Sequence, residues 1–325
     1  MILRITGIVI GTYLIAIAFL MWWWDYEPDV FEPKAVASVH ASANGRELVT
    51  GYTTTYTVMY LAETLLNKRG GFISNDVFPP GLIMDNAPEW EFGVLTQLRD
   101  AARAFRIDFS RSQSQSQEDE HLSEAEGKFF FDNSSWAFPQ TEDEYKDGIR
   151  LFGRYLERLA DPAQTGAQFY ARADNLQGWL QGVETRLGSL SQRLSASVGK
   201  RQLNLDLEGA GTEPEMAAPA EEDVKTPWLK IDNVFFEARG QTWALLHLLK
   251  AMEHDFADIL DKKNARVSLN QIIRELEPTQ EMVWSPMILN GDGLGFLANH
   301  SLVMASYVSR VNAAIIDLRR LLAQG

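Results

Sequence analysis

Residues 5–24 hold no charged side chain, and 16 of the 20 are apolar. A helix of that length rises about 30 Å, the thickness of a bilayer's hydrocarbon core. No other feature of this 325-residue chain limits its folding so strongly. Arg4 and the α-amino group precede the run, whereas Asp25, Glu27, Asp29 and Glu32 follow it before the first base, Lys34. Both flanks agree with an N-terminus in the cytoplasm and the bulk of the chain across the membrane. Trp22, Trp23 and Trp24 then fall where an interfacial aromatic belt belongs. The rival reading is a cleaved signal peptide, because Ala16-Ile17-Ala18 fits a small-x-small cleavage site. Cleavage there would leave Phe19-Leu20-Met21 and three tryptophans as a new N-terminus, which suits a soluble protein badly, so an uncleaved anchor is favoured. Gly7 and Gly11 form a G-x-x-x-G within the span, a spacing that lets two helix backbones approach closely.

Beyond the anchor (1–24), residues 25–47 read as a juxtamembrane stalk with one short strand around 35–40, rich in Glu-Pro, Ser, Ala and Asn. Residues 48–204 read as a helical domain. In 47–68 the β-branched tract at Thr53–Thr55 permits a strand, but Val58, Leu61 and Leu65 fall at helical spacing and Gly70-Gly71 makes a stop. Helix is preferred there, with Tyr52, Tyr56 and Tyr60 lining one stripe. Asn86 is the expected N-cap of the next helix, followed by Leu95, Leu98, Ala102, Phe105 and Phe109 at 3-4 spacing. Phe169, Ala173, Leu176, Leu180, Val183, Leu187, Leu190 and Leu194 make an unbroken heptad seam, and Met304, Val308, Val311, Ile315, Leu318 and Leu322 make a second. Two such seams most simply satisfy each other inside an antiparallel bundle, with an intermolecular coiled coil as runner-up. Residues 205–227, rich in Gly, Pro, Ala and Glu, read as a flexible acidic linker or loop. Residues 228–325 then complete the bundle, with a long helix over 234–260 and a capping box at Ser268 and Gln271. The expected fold is mainly α: a transmembrane helix followed by an antiparallel helical-bundle periplasmic domain.

Chemistry is harder to find. With no cysteine there is no disulfide framework, thiol nucleophile or Cys-based zinc site. A net charge of −14 argues against nucleic acid as a partner. His247 and His254 share a helix face, but no H-E-x-x-H or Glu-x-x-His spacing surrounds them, and they read as polar-face histidines. No G-x-S-x-G elbow appears, and Gly291-Asp292-Gly293-Leu294-Gly295 lacks the Lys-Ser/Thr of a P-loop and reads as a turn. No metal, cofactor or catalytic residue is therefore expected. Asp76, Asp85, Glu89, Glu91 and Asp100 form the one acidic cluster that suits carboxylate hydrolysis of a glycan. Caps, turns and pairing with Arg99 or Arg103 explain the same acids more simply. The alternating tract 110–119, with Arg111, Gln113 and Gln115, offers many donors and acceptors to a polar partner or to solvent.

Leu65-Leu66-Asn67-Lys68-Arg69-Gly70-Gly71-Phe72-Ile73-Ser74-Asn75-Asp76, then Pro79-Pro80-Gly81, then Asp85-Asn86-Ala87-Pro88-Glu89-Trp90-Glu91-Phe92-Gly93 and the 110–119 tract resemble the signature of the DUF2333 family. The resemblance runs over nearly the whole chain. It implies an inner-membrane protein of the Gram-negative envelope and brings no established activity or catalytic residue. Gly70, Gly71, Asn75, Asp76, Asp85, Asn86, Glu89, Trp90, Arg111, Gln113 and Gln115 become candidates for a shared interaction surface, beside Trp22, Trp23 and Trp24 at the membrane interface. The expected role is a scaffold or adaptor among other envelope proteins, self-associating through Gly7/Gly11 or the heptad seams. The alternatives are a cell-envelope glycan hydrolase or a periplasmic ligand-sensing bundle.

Overall fold

A computed structural model describes residues 2–111, 118–164, 166–203, 221–285, 287–291 and 296–324. The first helix, α1 (Ile2–Trp24), is long and apolar enough to cross a membrane, and no residue of its most apolar 18-residue stretch is buried by the rest of the protein. Ten helices follow among the described residues: α2 (Pro33–Ala43), α3 (Tyr52–Asn67), α4 (Asn86–Ala104), α5 (Glu120–Phe129), α6 (Thr141–Leu159), α7 (Ala173–Ser195), α8 (Ile231–Asp255), α9 (Ala257–Lys262), α10 (Arg266–Leu276) and α11 (His300–Ala323). The long α8 is the central element, packed by α2, α3, α4, α10, α7 and α11. Its closest neighbour is α4, and small residues make that approach. A Cβ at Gly93 would lie 2.2 Å from the Glu237 carbonyl oxygen, and one at Gly240 2.0 Å from that of Trp90. Each helix thus gives up a side chain where the other's backbone passes.

The two heptad seams meet each other. Leu176, Leu180, Val183, Leu187, Leu190 and Leu194 of α7 are buried, as are Met304, Val308, Val311, Ile315, Leu318 and Leu322 of α11. Gln177 Nε2 donates to the Arg319 carbonyl at 3.1 Å and Ser191 Oγ meets Ser309 Oγ at 2.5 Å, so one helix number rises as the other falls. The pair is antiparallel, and its apolar stripes are consumed within the chain. Phe169, by contrast, is not part of α7. Arg172 precedes the helix in extended conformation, and Phe169 packs with Phe105, Phe109 and Phe256 in an aromatic cluster.

Several local expectations are corrected. The segment 35–40 is helix, not strand, because Pro33 presets the first turn and Ala37 and Ala41, one turn apart, bury the same face. Asp85, not Asn86, caps α4, its carboxylate accepting from the Asn86 N–H at 3.1 Å. The 234–260 helix breaks at Phe256, which buries itself while α9 starts anew. Ser268 lies inside α10 rather than capping it; the chain enters that helix from Asn264 at φ 51 through Ala265. Of the expected linker, 205–220 lies outside the described residues, and at its margin Lys200–Leu203 (β1) pairs antiparallel with Glu221–Val224 (β2).

The largest revision concerns 25–47, which is a docked strap rather than a free stalk. Arg239, buried on α8, receives Glu27 and also donates to the carbonyls of Thr279 and Glu281. Four residues on, the Phe31 N–H donates to His247 Nε2 at 3.0 Å, and the two rings stack at 3.9 Å. His247 is fully buried, not on a polar face. The tyrosine stripe of α3 forms the other wall: Tyr60 packs on Phe31, Tyr56 stacks on His40, and Tyr52 bonds the His40 ring at 2.9 Å. At the far end Asp255 accepts from the Thr54 N–H and hydroxyl, capping α3 in place of Gly51, which has no side chain to do so.

Candidate functional site

Residues 70–92, the expected interaction surface, fold around a buried ion pair that sequence reasoning passed over. Lys68 returns from the end of α3 to place its Nζ 2.7 Å from Glu91 Oε1, with the two side chains 4 % and 0 % exposed. Glu91 also accepts from the backbone N–H groups of Ile73 and Ser74 at 2.9 and 2.8 Å, and Lys68 donates to the Gly71 carbonyl. Every strong polar group in this knot is therefore engaged, as burial of charge requires. Asn75 ties the loop outward, donating to the Ser135 carbonyl and to Glu142 Oε2. Asp76 packs under Gly81, and burial with Glu91 and Glu142 nearby raises its pKa. Glu89 accepts from Asn233, while Trp90 is buried with its ring tilted against that of Trp243, centroids 5.2 Å apart. Gly70 lies at φ +85 with the Trp24 ring where a Cβ would be. Arg69 stacks its guanidinium on Trp23 and Tyr26 at 4.2 and 3.9 Å. Gly70, Gly71, Asn75, Asp76, Asp85, Asn86, Glu89 and Trp90 thus come together, but as a closed knot seating the end of α1. Only about 10 Å³ remains where Asn86 and Trp90 meet Trp24 and Asp25. Trp22 points outward, largely exposed.

A wider opening lies elsewhere, between α4, α7 and α8. It has a volume of about 740 Å³. Its mouth is shaped by a π-helical turn, Phe105–Phe109, that continues α4, a departure from α-geometry frequent at functional sites. Gly178 and Gly182 leave the α7 wall low. Two bidentate pairs bridge the groove: Arg186 to Asp100 at 2.8 and 3.1 Å, and Arg193 to Glu237 at 2.5 and 2.6 Å. Gln241 supports the second by donating to Glu237 at 2.9 Å, while its own Oε1 is buried and has no partner among the described residues. The Trp179 indole N–H is in the same position. Asp108 sits at the π-turn with its pKa pushed up to about 6, chiefly by burial, Arg103 opposing and Asp174 adding to the rise. Exposed Phe92 and Ile107 supply apolar edges. The groove thus combines paired ions, a half-buried carboxyl with a raised pKa, two buried polar atoms without partners among the described residues, and apolar rims.

The family model described as an uncharacterized protein conserved in bacteria (DUF2333) matches residues 1–325, the whole chain. The chain belongs to the DUF2333 family. No curated protein and no solved structure matches it significantly.

Within this DUF2333 chain, Arg111 lies near Glu118, whose carboxylate also takes Arg106 at 2.8 Å, whereas Gln113 and Gln115 lie outside the described residues. Of the tempting acids, Asp100 alone reaches the groove. Arg103, Asp108, Arg186, Arg193 and Glu237, which build the rest, sit on three helices far apart in sequence. Their one local signal was the pair of glycines on the polar side of α7, four residues apart and opposite the heptad seam.

Proposed function

We propose that this protein is a single-pass inner-membrane adaptor of a bacterial envelope assembly, its N-terminus cytoplasmic and its helical body held in the periplasm. The observation supporting this reading is the strap. Glu27 on Arg239 and Phe31 on His247 clamp the segment that leaves α1, so α1 and the body form one lever rather than two parts on a tether. A protein that presents a partner at a set height above a bilayer has use for such a clamp. The groove between α4, α7 and α8 is the surface offered. Because the heptad seams face each other, self-association is left to Gly7 and Gly11, where added Cβ atoms would meet nothing. Four of the five carboxylates named for a glycan hydrolase are engaged otherwise: Glu91 is sealed with Lys68, Asp100 holds Arg186, Glu89 holds Asn233 and Asp85 caps α4.

The test is purification of the intact chain from membranes, with an Arg186→Glu variant in parallel. Co-purifying envelope proteins that are lost with the variant are the expected result. Recovery of the chain alone, monomeric, would overturn the adaptor reading. A C-terminal reporter active inside the cytoplasm would overturn the topology.

A further inference from the structure

We infer that the end of the body from which α1 emerges is a membrane-seated face, whose apolar loop tips enter the interfacial zone of the adjoining leaflet. The inference rests on α1 being the anchor proposed above. The helix α8 serves as a ruler. At its start, Phe236 and Arg239 meet Asp25 and Glu27, just after α1; at its finish, Asp255 caps α3. Those contacts lie 16–19 residues apart along the helix, a separation of about 24–29 Å.

Four loops gather at the anchored end. The loop between α3 and α4 starts on Trp24 at Gly70 and exposes Phe78, Leu82 and Ile83. The loop between α5 and α6 is tied to it by Asn75 and Ser135, and it exposes Trp136 and Phe138. The approach to α8 exposes Trp228 and Leu229, one turn before Asn233 bonds Glu89. The segment after α10 leaves from Glu281, on Arg239, and exposes Met282 and then Trp284, which is 88 % exposed. At the opposite end, the described residues of 44–51, 110–119, 160–172 and 256–267 expose one large apolar side chain, the aliphatic Val267, and no aromatic one.

Such one-sidedness is not what random surface apolarity produces, since single exposed hydrophobes scatter. Tryptophan, phenylalanine and leucine tips on separate loops suit the headgroup boundary of a bilayer, where an aromatic ring gains burial without needing a shaped partner. Continuity with α1 decides between lipid and protein as the occupant: these tips share the end of the molecule at which Trp22, Trp23 and Trp24 meet the same interface.

The absence of cysteine makes the test direct. Single cysteines replace Leu82, Phe138, Leu229 or Trp284 in the full chain, with Val267→Cys at the far end and Leu14→Cys in α1 as references. Each is labelled with a polarity-sensitive fluorophore and reconstituted in phosphatidylethanolamine–phosphatidylglycerol nanodiscs, after circular dichroism confirms unchanged helix content. Blue-shifted emission at the four tips, quenched by lipids with a shallow nitroxide, is expected, with Val267 unaffected. Water-like emission at the tips with Leu14 still quenched by a deep nitroxide would overturn the seating and leave the anchor standing. An unquenched Leu14 would overturn the anchor itself. Protection of the tips that arises only in native membranes would assign the face to a protein instead and refute the proposal.

Discussion

Acidification should loosen the strap through His247, and the size of the effect follows from its surroundings. Nδ1 sits 2.7 Å from the Trp243 carbonyl and must donate to it, so in the neutral ring Nε2 is the acceptor for the Phe31 N–H. A protonated ring has two donors and no acceptor, and it would turn an N–H toward the Phe31 N–H. Burial pushes the pKa down to about 3, with Lys250 acting in the same direction and the Trp243 carbonyl against it. In the unfolded chain the ring titrates near 6.5, so between these values the unfolded state binds the extra proton. The contribution is therefore complete above the unfolded pKa and is lost as pH falls below it. At pH 5 the loss is about 2 kcal/mol, being one and a half units at about 1.4 kcal/mol each. For a body of this size that lowers Tm by roughly 4 °C. The assay is thermal unfolding of the intact chain in detergent between about pH 7.5 and 5, with His247→Gln alongside to remove this titration and leave all others. The parent curve should fall more steeply than the variant's below about pH 6.5. Hydrogen exchange in 25–43 should rise before the rest of the body opens. Parallel curves, or a His247 ring that titrates near its ordinary value, would refute the reasoning.

Other expectations concern the knot, the strap, the groove and the helix crossing. Lys68→Met leaves Glu91 buried without its cation and should cost about 3–5 kcal/mol, read as a lower urea midpoint. The double variant Lys68→Met/Glu91→Gln should lose less than the sum of the two single changes, because neither charge is then stranded; strict additivity would deny the coupling. Arg239→Met removes the donors to Glu27, Thr279 and Glu281, and limited proteolysis should cut first within 25–45. Asp108 carries the opposite sign to His247. Its raised pKa means that ionisation opposes folding, a penalty absent below the ordinary carboxylate range and complete above about pH 6. Asp108→Asn should therefore raise Tm at neutral pH, with the advantage vanishing in acid. Gly240→Ala forces a Cβ onto the Trp90 carbonyl and should lower folded yield, while alanine at exposed Gly182 should not.

What could be read from the sequence was whatever repeats along one helix. The seams of α7 and α11 and the buried positions of α4 announce themselves because helix geometry returns a side chain to the same face every three or four residues. The helix starts expected at Asn86 and Ser268 are off by one residue and by three, since a cap is one contact and not a period. The groove was illegible for a related reason. Asp100, Arg186 and Glu237 are ordinary polar positions until three helices bring them together, and the π-turn that carries Asp108 into the groove has no sequence mark.

The strap was misread because its composition, proline, acid and alanine, is that of a linker, while its partners are 212 and 216 residues away. Yet its spacing is not arbitrary. Glu27 and Phe31 are four residues apart, and their partners Arg239 and His247 are eight apart on α8. An extended chain advances about 3.3 Å per residue and a helix about 1.5 Å, so both intervals span roughly 12–13 Å. The contacts are in register only because the strap is extended where the helix is coiled. A one-residue deletion between Glu27 and Phe31 would shorten the strap by about 3 Å against an unchanged helix, so both contacts could not form together. Such a deletion should free the strap to proteases as fully as Arg239→Met, although it removes neither partner. If it left the strap protected, the clamp would be tolerant of length, and the rigid-lever reading of this protein would lose its basis.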